Sequence, residues 1–140
     1  MQIWIGPMRL EDVKPLVEVG MLKHIGIELL AIGEDWLKGR MPVDDRTRQP
    51  AGILHGGATC ALGESLASIA SSMCVDLATH RVVGTEISAS HIRSAREGYV
   101  YGVCRPLHVG RRSHVWDVRI TDQEGKMVSV VRMTATVLNY

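Results

Sequence analysis

The sequence lacks an excess of charge of either sign. Its 16 Lys and Arg balance 15 Asp and Glu to a formal charge of +1. Nothing in it draws nucleic acid or an anionic membrane surface from a distance, so an anionic ligand must be held by local clusters. Cysteine is scarce as well: Cys60, Cys74 and Cys104 are odd in number and far apart in apolar surroundings. That excludes a disulfide framework and fits reduced thiols in the cytoplasm. No uncharged apolar stretch of about 18 residues occurs, and no basic region followed by an apolar run opens the chain, so neither a membrane span nor a secretory signal is expected. The histidines His24, His55, His80, His91, His108 and His114 show no paired ligand spacing and no Cys-x-x-Cys accompanies them. Neither a metal nor another cofactor is expected. Repeats, linkers and low-complexity tracts are also missing, and 140 residues fit one domain, 1–140, able to bury its own core.

What is present is a clear order of elements. Leu10, Val13, Leu16 and Val17 recur near helical spacing, which predicts a short amphipathic helix within Met8 to Leu22, limited by Pro15. Ile25 to Ile32 and Trp36 to Met41 read as two strands joined at Gly33-Glu34-Asp35, and the polar run from Val43 to Pro50 reads as a loop. Gly56 to Cys74 is rich in Ala, Leu, Ser and Met without proline, with Ala58, Leu62, Ser65, Ile69 and Met73 sharing a face, the signature of a long buried helix. Four more strands follow, at Val82 to Ile92, Gly98 to Pro106, Ser113 to Asp122 and Met127 to Leu138. Turn-linked neighbours argue for antiparallel pairing, and one apolar helix needs a sheet to cover it. The fold class is therefore α+β, an antiparallel sheet wrapped around one long helix.

The chemistry-bearing residues crowd around the start of that helix. Gln49, His55, Gly56 and Gly57 precede or open it, and Glu64 and Ser68 follow within it. At a helix start, backbone N–H groups lack intrahelical partners, so Gly56 and Gly57 could bind a developing oxyanion. Glu64 and Ser68 are four apart and share a face, where the hydroxyl could hold a water beside the carboxylate. The apolar neighbours Ala61, Leu62, Ala67, Ile69 and Ala70 would desolvate Glu64 and strengthen it as a base or nucleophile. Taken singly, a Gly-Gly turn, a histidine and a mid-helix glutamate are ordinary structural features; their conjunction points to hydrolysis of an ester or thioester. Ser65 is not the nucleophile, because Gly63-Glu64-Ser65 lies inside a helix and lacks the second glycine of a hydrolase elbow. At about 1.5 Å rise per residue, His55 and Glu64 stand roughly 13 Å apart along one helix. One thioester carbon cannot touch both, which favours a site shared by two chains of a symmetric dimer.

At these residues the sequence resembles the hotdog-fold thioesterases, in the branch that contains Glu-type hydroxybenzoyl-CoA thioesterases and the dihydroxynaphthoyl-CoA thioesterases of menaquinone synthesis. The resemblance runs along nearly the whole chain, through Met41-Pro42-Val43-Asp44, Gln49-Pro50, Leu54-His55-Gly56-Gly57, Glu64-Ser65, Val83-Gly84, His91-Ile92-Arg93-Ser94-Ala95-Arg96-Glu97-Gly98 and Pro106-Leu107-His108. It implies Glu64 as nucleophile or general base, Gly56 N–H as the group polarising the carbonyl, Gln49 and His55 as the groups orienting thioester or water, and Ser68 as the holder of that water. Some relatives carry Thr at the Ser68 position. The resemblance further implies coenzyme A contacts at Gly84, His91, Ile92, Arg93 and Ser94 and at His108, Val109, Gly110, Arg111, Arg112 and Ser113. Arg111 and Arg112 suit phosphates, with an inert basic turn as the alternative. The expected partners are an aromatic acyl-CoA, a second copy forming the site and a tetramer of two dimers, with an acyl carrier protein as a further candidate. Dihydroxynaphthoyl-CoA is the leading substrate; aryl groups misloaded on a siderophore carrier, hydroxybenzoyl and phenylacetyl thioesters are alternatives. A hotdog dehydratase or isomerase and a noncatalytic acyl-CoA binding module are the competing functions.

Overall fold

A computed structural model describes residues Met1–Tyr140. Six strands, β1 (Glu28–Ile32), β2 (Leu37–Pro42), β3 (His80–His91), β4 (Tyr99–Val109), β5 (Ser113–Thr121) and β6 (Met127–Asn139), form one antiparallel sheet in the order β1-β2-β4-β5-β6-β3. Two short helices, α1 (Leu10–Val13) and α2 (Gly20–His24), precede it, and the long α3 (Gly56–Met73) packs across β2 to β6. The α+β architecture expected from the order of elements is present. No helix is long and apolar enough to cross a membrane.

The helix lies close on the sheet because glycines make room for it. Gly39 of β2 and Gly102 of β4 are register partners, and a Cβ on either would come within 2.9 Å of a Leu66 methyl. Gly63 does the same from the helix side, where a Cβ would meet Val131 at 2.7 Å. Leu62, Leu66, Ala67, Ala70 and Met73 fill the interface with β-strand residues such as Val118, Ile120 and Val131. Each large aliphatic side chain buried this way stabilises the fold by about 1.5–3 kcal/mol. At the far end of the helix, Trp116 is fully buried, donates from Nε1 to Ser71 Oγ at 2.6 Å and stacks on Trp4 with ring centroids 6.5 Å apart. Ile5 N–H donates to the Met73 carbonyl at 2.9 Å, tying the start of the chain to the helix end.

Four differences from the expected elements exceed one residue. The helix anticipated within Met8 to Leu22 is broken into α1, a 3-10 turn at Lys14–Val17 and α2. Pro15 cannot continue an α-helix, and Gly20 takes a left-handed φ of 58°. The first strand starts at Glu28 rather than Ile25, because Gly26 is left-handed at φ 77° and packs against Pro42 and Arg46. β4 continues past Pro106 to Val109: a register shift between Pro106 and His108 makes a bulge that tolerates the missing N–H. β3 begins at His80, two residues earlier than the strand expected from Val82.

Candidate active site

The loop before α3 is pinned. Thr47 is buried and donates from Oγ1 to the Pro42 carbonyl at 2.7 Å, His55 N–H donates to the Thr47 carbonyl at 2.8 Å, and Leu54 N–H donates to the Ala95 carbonyl at 2.8 Å. Arg48 closes the opposite wall, donating from Nε and Nη2 to the Arg96 carbonyl. Between these straps Gln49 Oε1 accepts the Ala51 N–H, which fixes the orientation of the amide and leaves its NH2 group as the free end.

His55 is the N-cap of α3. Its Nδ1 accepts the Gly57 N–H at 2.7 Å, and its carbonyl accepts from Ala58 and Thr59 at 3.0 and 3.2 Å. With His55 N–H on the Thr47 carbonyl, the N–H groups of His55, Gly57 and Ala58 are taken, three of the four that a helix start leaves over, and Thr59 makes the first regular helical bond. Gly57, expected to share in oxyanion binding, is committed to the cap, and Gly56 N–H alone is left at the positive end of the helix. Because Nδ1 accepts, the proton of the neutral His55 ring sits on Nε2.

Gln49 and Gly56 line one cavity of about 260 Å³ together with His91, Ile92, Arg93, Ser94 and the apolar wall of Ile53, Leu54, Ala95 and Val128. The main-chain turn after β3 that delivers this wall is held by Ile92 and Arg93 N–H, which share the Val128 carbonyl at 2.8 and 3.2 Å. Glu64 and Ser68 do not reach it. They lie further along α3, and the Glu64 carboxylate sits over Gly84 of β3, where Oε1 would be 2.9 Å from an added Cβ. Gly84 is thus the floor beneath Glu64. In the single chain Glu64 is exposed and joins no ion pair, unlike the shielding expected from its apolar neighbours: Leu62, Ala67, Ile69 and Ala70 are buried in the core, and Ala61 is half-buried. Cys60, one turn before it, has its thiol pushed up by burial and by the Glu64 charge, and is a poor thiolate.

His108, Val109, Gly110, Arg111, Arg112 and Ser113 are not brought to this cavity. They span the end of β4, the β4–β5 connection and the start of β5, and Val109, Gly110 and Arg111 line a second cavity of about 330 Å³ with Cys74, Val75, Asp76, His80, His114 and Val137 at the other end of α3. At about 1.5 Å per residue the helix puts the two cavities on the order of 27 Å apart. His108 and Val109 belong to β4, and the His108 ring covers the face of Gly110, with Nε2 close to where a Cβ would sit. Ser129 was not anticipated. It is fully buried on β6 behind His91, and its one signal is a lone hydroxyl within the apolar run Met127-Val128-Ser129-Val130-Val131.

The geometry thus offers a free N–H at a helix start, an amide held by the Ala51 N–H, and a carboxylate on the same helix but outside their cavity; the chain belongs to the thioesterase superfamily, whose family model matches residues 51–129. It is 45% identical to the 1,4-dihydroxy-2-naphthoyl-CoA hydrolase of Escherichia coli (strain K12), covering 97% of this chain and 99% of that one. It is 44% identical to the proofreading thioesterase EntH of Cronobacter turicensis, over 97% and 98%. Among solved structures, a thioesterase of Pseudomonas aeruginosa, crystallised as a glutamine-to-alanine mutant, superposes with a TM-score of 0.96 at 39% identity over 99% and 100%. The chain is a thioester hydrolase with the hotdog fold.

Proposed function

We propose that the protein hydrolyses an aromatic acyl-CoA, foremost 1,4-dihydroxy-2-naphthoyl-CoA in menaquinone synthesis, to the free acid and coenzyme A, as one domain in the cytoplasm. The observation that carries this reading is the division of the machinery: Gln49 and Gly56 line one cavity with His91 to Ser94, and Glu64 stands outside it on the same helix. Catalysis then needs two chains. Gly56 N–H and the free Gln49 amide of one protomer hold the thioester carbonyl oxygen, His55 Nε2–H aids their alignment, and Glu64 of the other protomer attacks the carbonyl carbon or takes a proton from water held by Ser68. On the water route the hydroxide adds to the carbonyl carbon, the C–S bond breaks and the proton held by Glu64 passes to the leaving thiolate. On the nucleophilic route the C–S bond breaks to leave an acyl–Glu64 anhydride, which a water splits to the free acid and the carboxylate, its released proton going to the thiolate. Arg111 and Arg112, exposed on the β4–β5 connection, supply charge for the nucleotide phosphates.

The sheet supports the pairing. β3 ends it with an unpaired edge on which Val83 is 45% exposed, and such an edge is a template for a second copy. Antiparallel pairing of two β3 edges runs the His91 end of one chain toward the Gly84 region of the other. Two such dimers form the proposed tetramer.

Mixing two crippled chains tests the arrangement. Glu64→Gln and Gln49→Ala homodimers should each release thiol from a panel of aromatic and aliphatic acyl-CoAs at least about 100-fold and about 10-fold more slowly than the parent. Their heterodimer restores one intact site of two and should recover about half of the parent rate, the expectation for one working site in a symmetric pair. Heterodimers no faster than the better homodimer would remove the shared site, and a parent inert on every thioester would remove the substrate reading. The similarity to the EntH thioesterase favours a second reading, release of aryl groups misloaded on a siderophore carrier protein; faster turnover of aryl-carrier thioesters than of any acyl-CoA would select it.

A further inference from the structure

Behind the cavity at the start of α3, the Ser129 Oγ lies 3.1 Å from the Ser90 carbonyl oxygen and 3.1 Å from His91 Nδ1. A serine hydroxyl has one proton, and a carbonyl oxygen can only accept. With the proton given to Ser90, the hydroxyl oxygen turns a lone pair toward Nδ1, and the imidazole must supply the N–H there. A neutral ring has only one, so Nε2 is left with its lone pair. The other end of the ring agrees. Nε2 would be 2.7 Å from a Cβ on Gly56, the first residue of α3, and the positive end of a helix favours a lone pair and opposes an N–H pointing at it.

We infer that Ser129 is a positioning residue that holds His91 in the Nδ1–H tautomer, so that Nε2 faces the cavity as a hydrogen-bond acceptor for an amide N–H of the pantetheine arm carrying the thioester. The inference deepens the proposed function and rests on it for the identity of the ligand. The cavity then offers two donors, Gly56 N–H and the Gln49 amide, beside one acceptor. His55 holds the opposite tautomer, so the two rings flanking Gly56 carry opposite hydrogen-bonding ends. A ligand with a carbonyl and an N–H a few bonds apart satisfies both kinds; a plain alkyl thioester satisfies only the donors.

Long-range proton–nitrogen spectra of the uniformly ¹⁵N-labelled protein above neutral pH, with the His91 ring assigned by its absence in His91→Asn, should show Nδ1 protonated and Nε2 unprotonated. In Ser129→Ala the ring should move toward the Nε2–H form that free imidazole side chains prefer. The same variant should raise KM for an acyl-CoA about tenfold, the worth of one such hydrogen bond, with kcat within about twofold. Thioesters of ethanethiol, which have no amide, should not distinguish parent from variant. A parent ring protonated at Nε2, or a tautomer unchanged in Ser129→Ala, overturns the inference; equal effects on both thioester types overturn the assignment of the amide. If Ser129→Ala does not fold, the parent spectrum decides the tautomer, and His91→Asn, which keeps a donor toward Ser129 but has no atom at Nε2, must reproduce the rise in KM. The spectra need no turnover, so a protein inert on every thioester would sink the proposed function without touching the tautomer.

Discussion

The two ends of α3 solve opposite problems. At its C-terminal end, Trp116, Trp4 and Ser71 are buried and hydrogen-bonded to one another or to the main chain, and the terminal carbonyl of Met73 is occupied by Ile5. At its N-terminal end the cap is made with one donor left over, beside a cavity lined by polar groups. The first arrangement occupies the polar groups of Trp4, Ser71 and Trp116, and the second withholds one helix-start donor from any partner. A helix end can therefore be read as structural or functional by asking which of its orphan groups are left free.

The largest test of this contrast is Trp116→Ala. It empties the fully buried position under the C-terminal end and strands Ser71, so urea denaturation should show a loss of about 3–5 kcal/mol. A loss below about 1 kcal/mol would mean that this end is no more structural than the other. The next test separates cap from chemistry at His55. His55→Ala should cost about 1 kcal/mol of stability, whereas His55→Asn, whose side chain can cap, should stay within about 0.5 kcal/mol of the parent. Both should lose turnover, because neither has a donor at the Nε2 position; full activity in the capped variant would make His55 a cap alone. The smallest effect belongs to His114. It is buried, its Nδ1 has no partner, and burial holds its imidazole below the ordinary value. The unfolded chain therefore takes up the proton first as pH falls, so stability is complete above about 6.5 and declines below it. Thermal melts should show a decrease below that pH smaller than the Trp116 effect, reduced in His114→Gln.

Much of this was legible in the sequence because it depends on local pattern. The proline-free apolar run from Gly56 announces α3 to within one residue, and the order of two strands, one helix and four turn-linked strands places one sheet around one helix. Gln49 and Gly56 stand out by their places before and at the helix start, and His91 through the resemblance alone. What escaped depends on contacts between distant segments. That His55 would occupy the Gly57 N–H follows from a ring rotamer, and the pairing of Ser129 with His91 follows from strand register. The overrun of β4 past Pro106 needed a bulge that only the partner strand reveals. The exposure of Glu64 escapes composition, which counts neighbours in sequence, whereas the helix buries Leu62, Ala67, Ile69 and Ala70 in the core and leaves Glu64 outside.

The paired glycines beneath Leu66 have a consequence for tuning the enzyme. They seat the helix against the sheet like a key in its slot, which stops it from rolling about its own axis, and rolling is the motion that would swing Glu64 away from Gly84. The aim of the carboxylate is thus set by two missing methyl groups on strands that never touch it. An alanine at Gly39 or Gly102 would press on Leu66 and so disturb the seat of the helix without altering one residue of the candidate site.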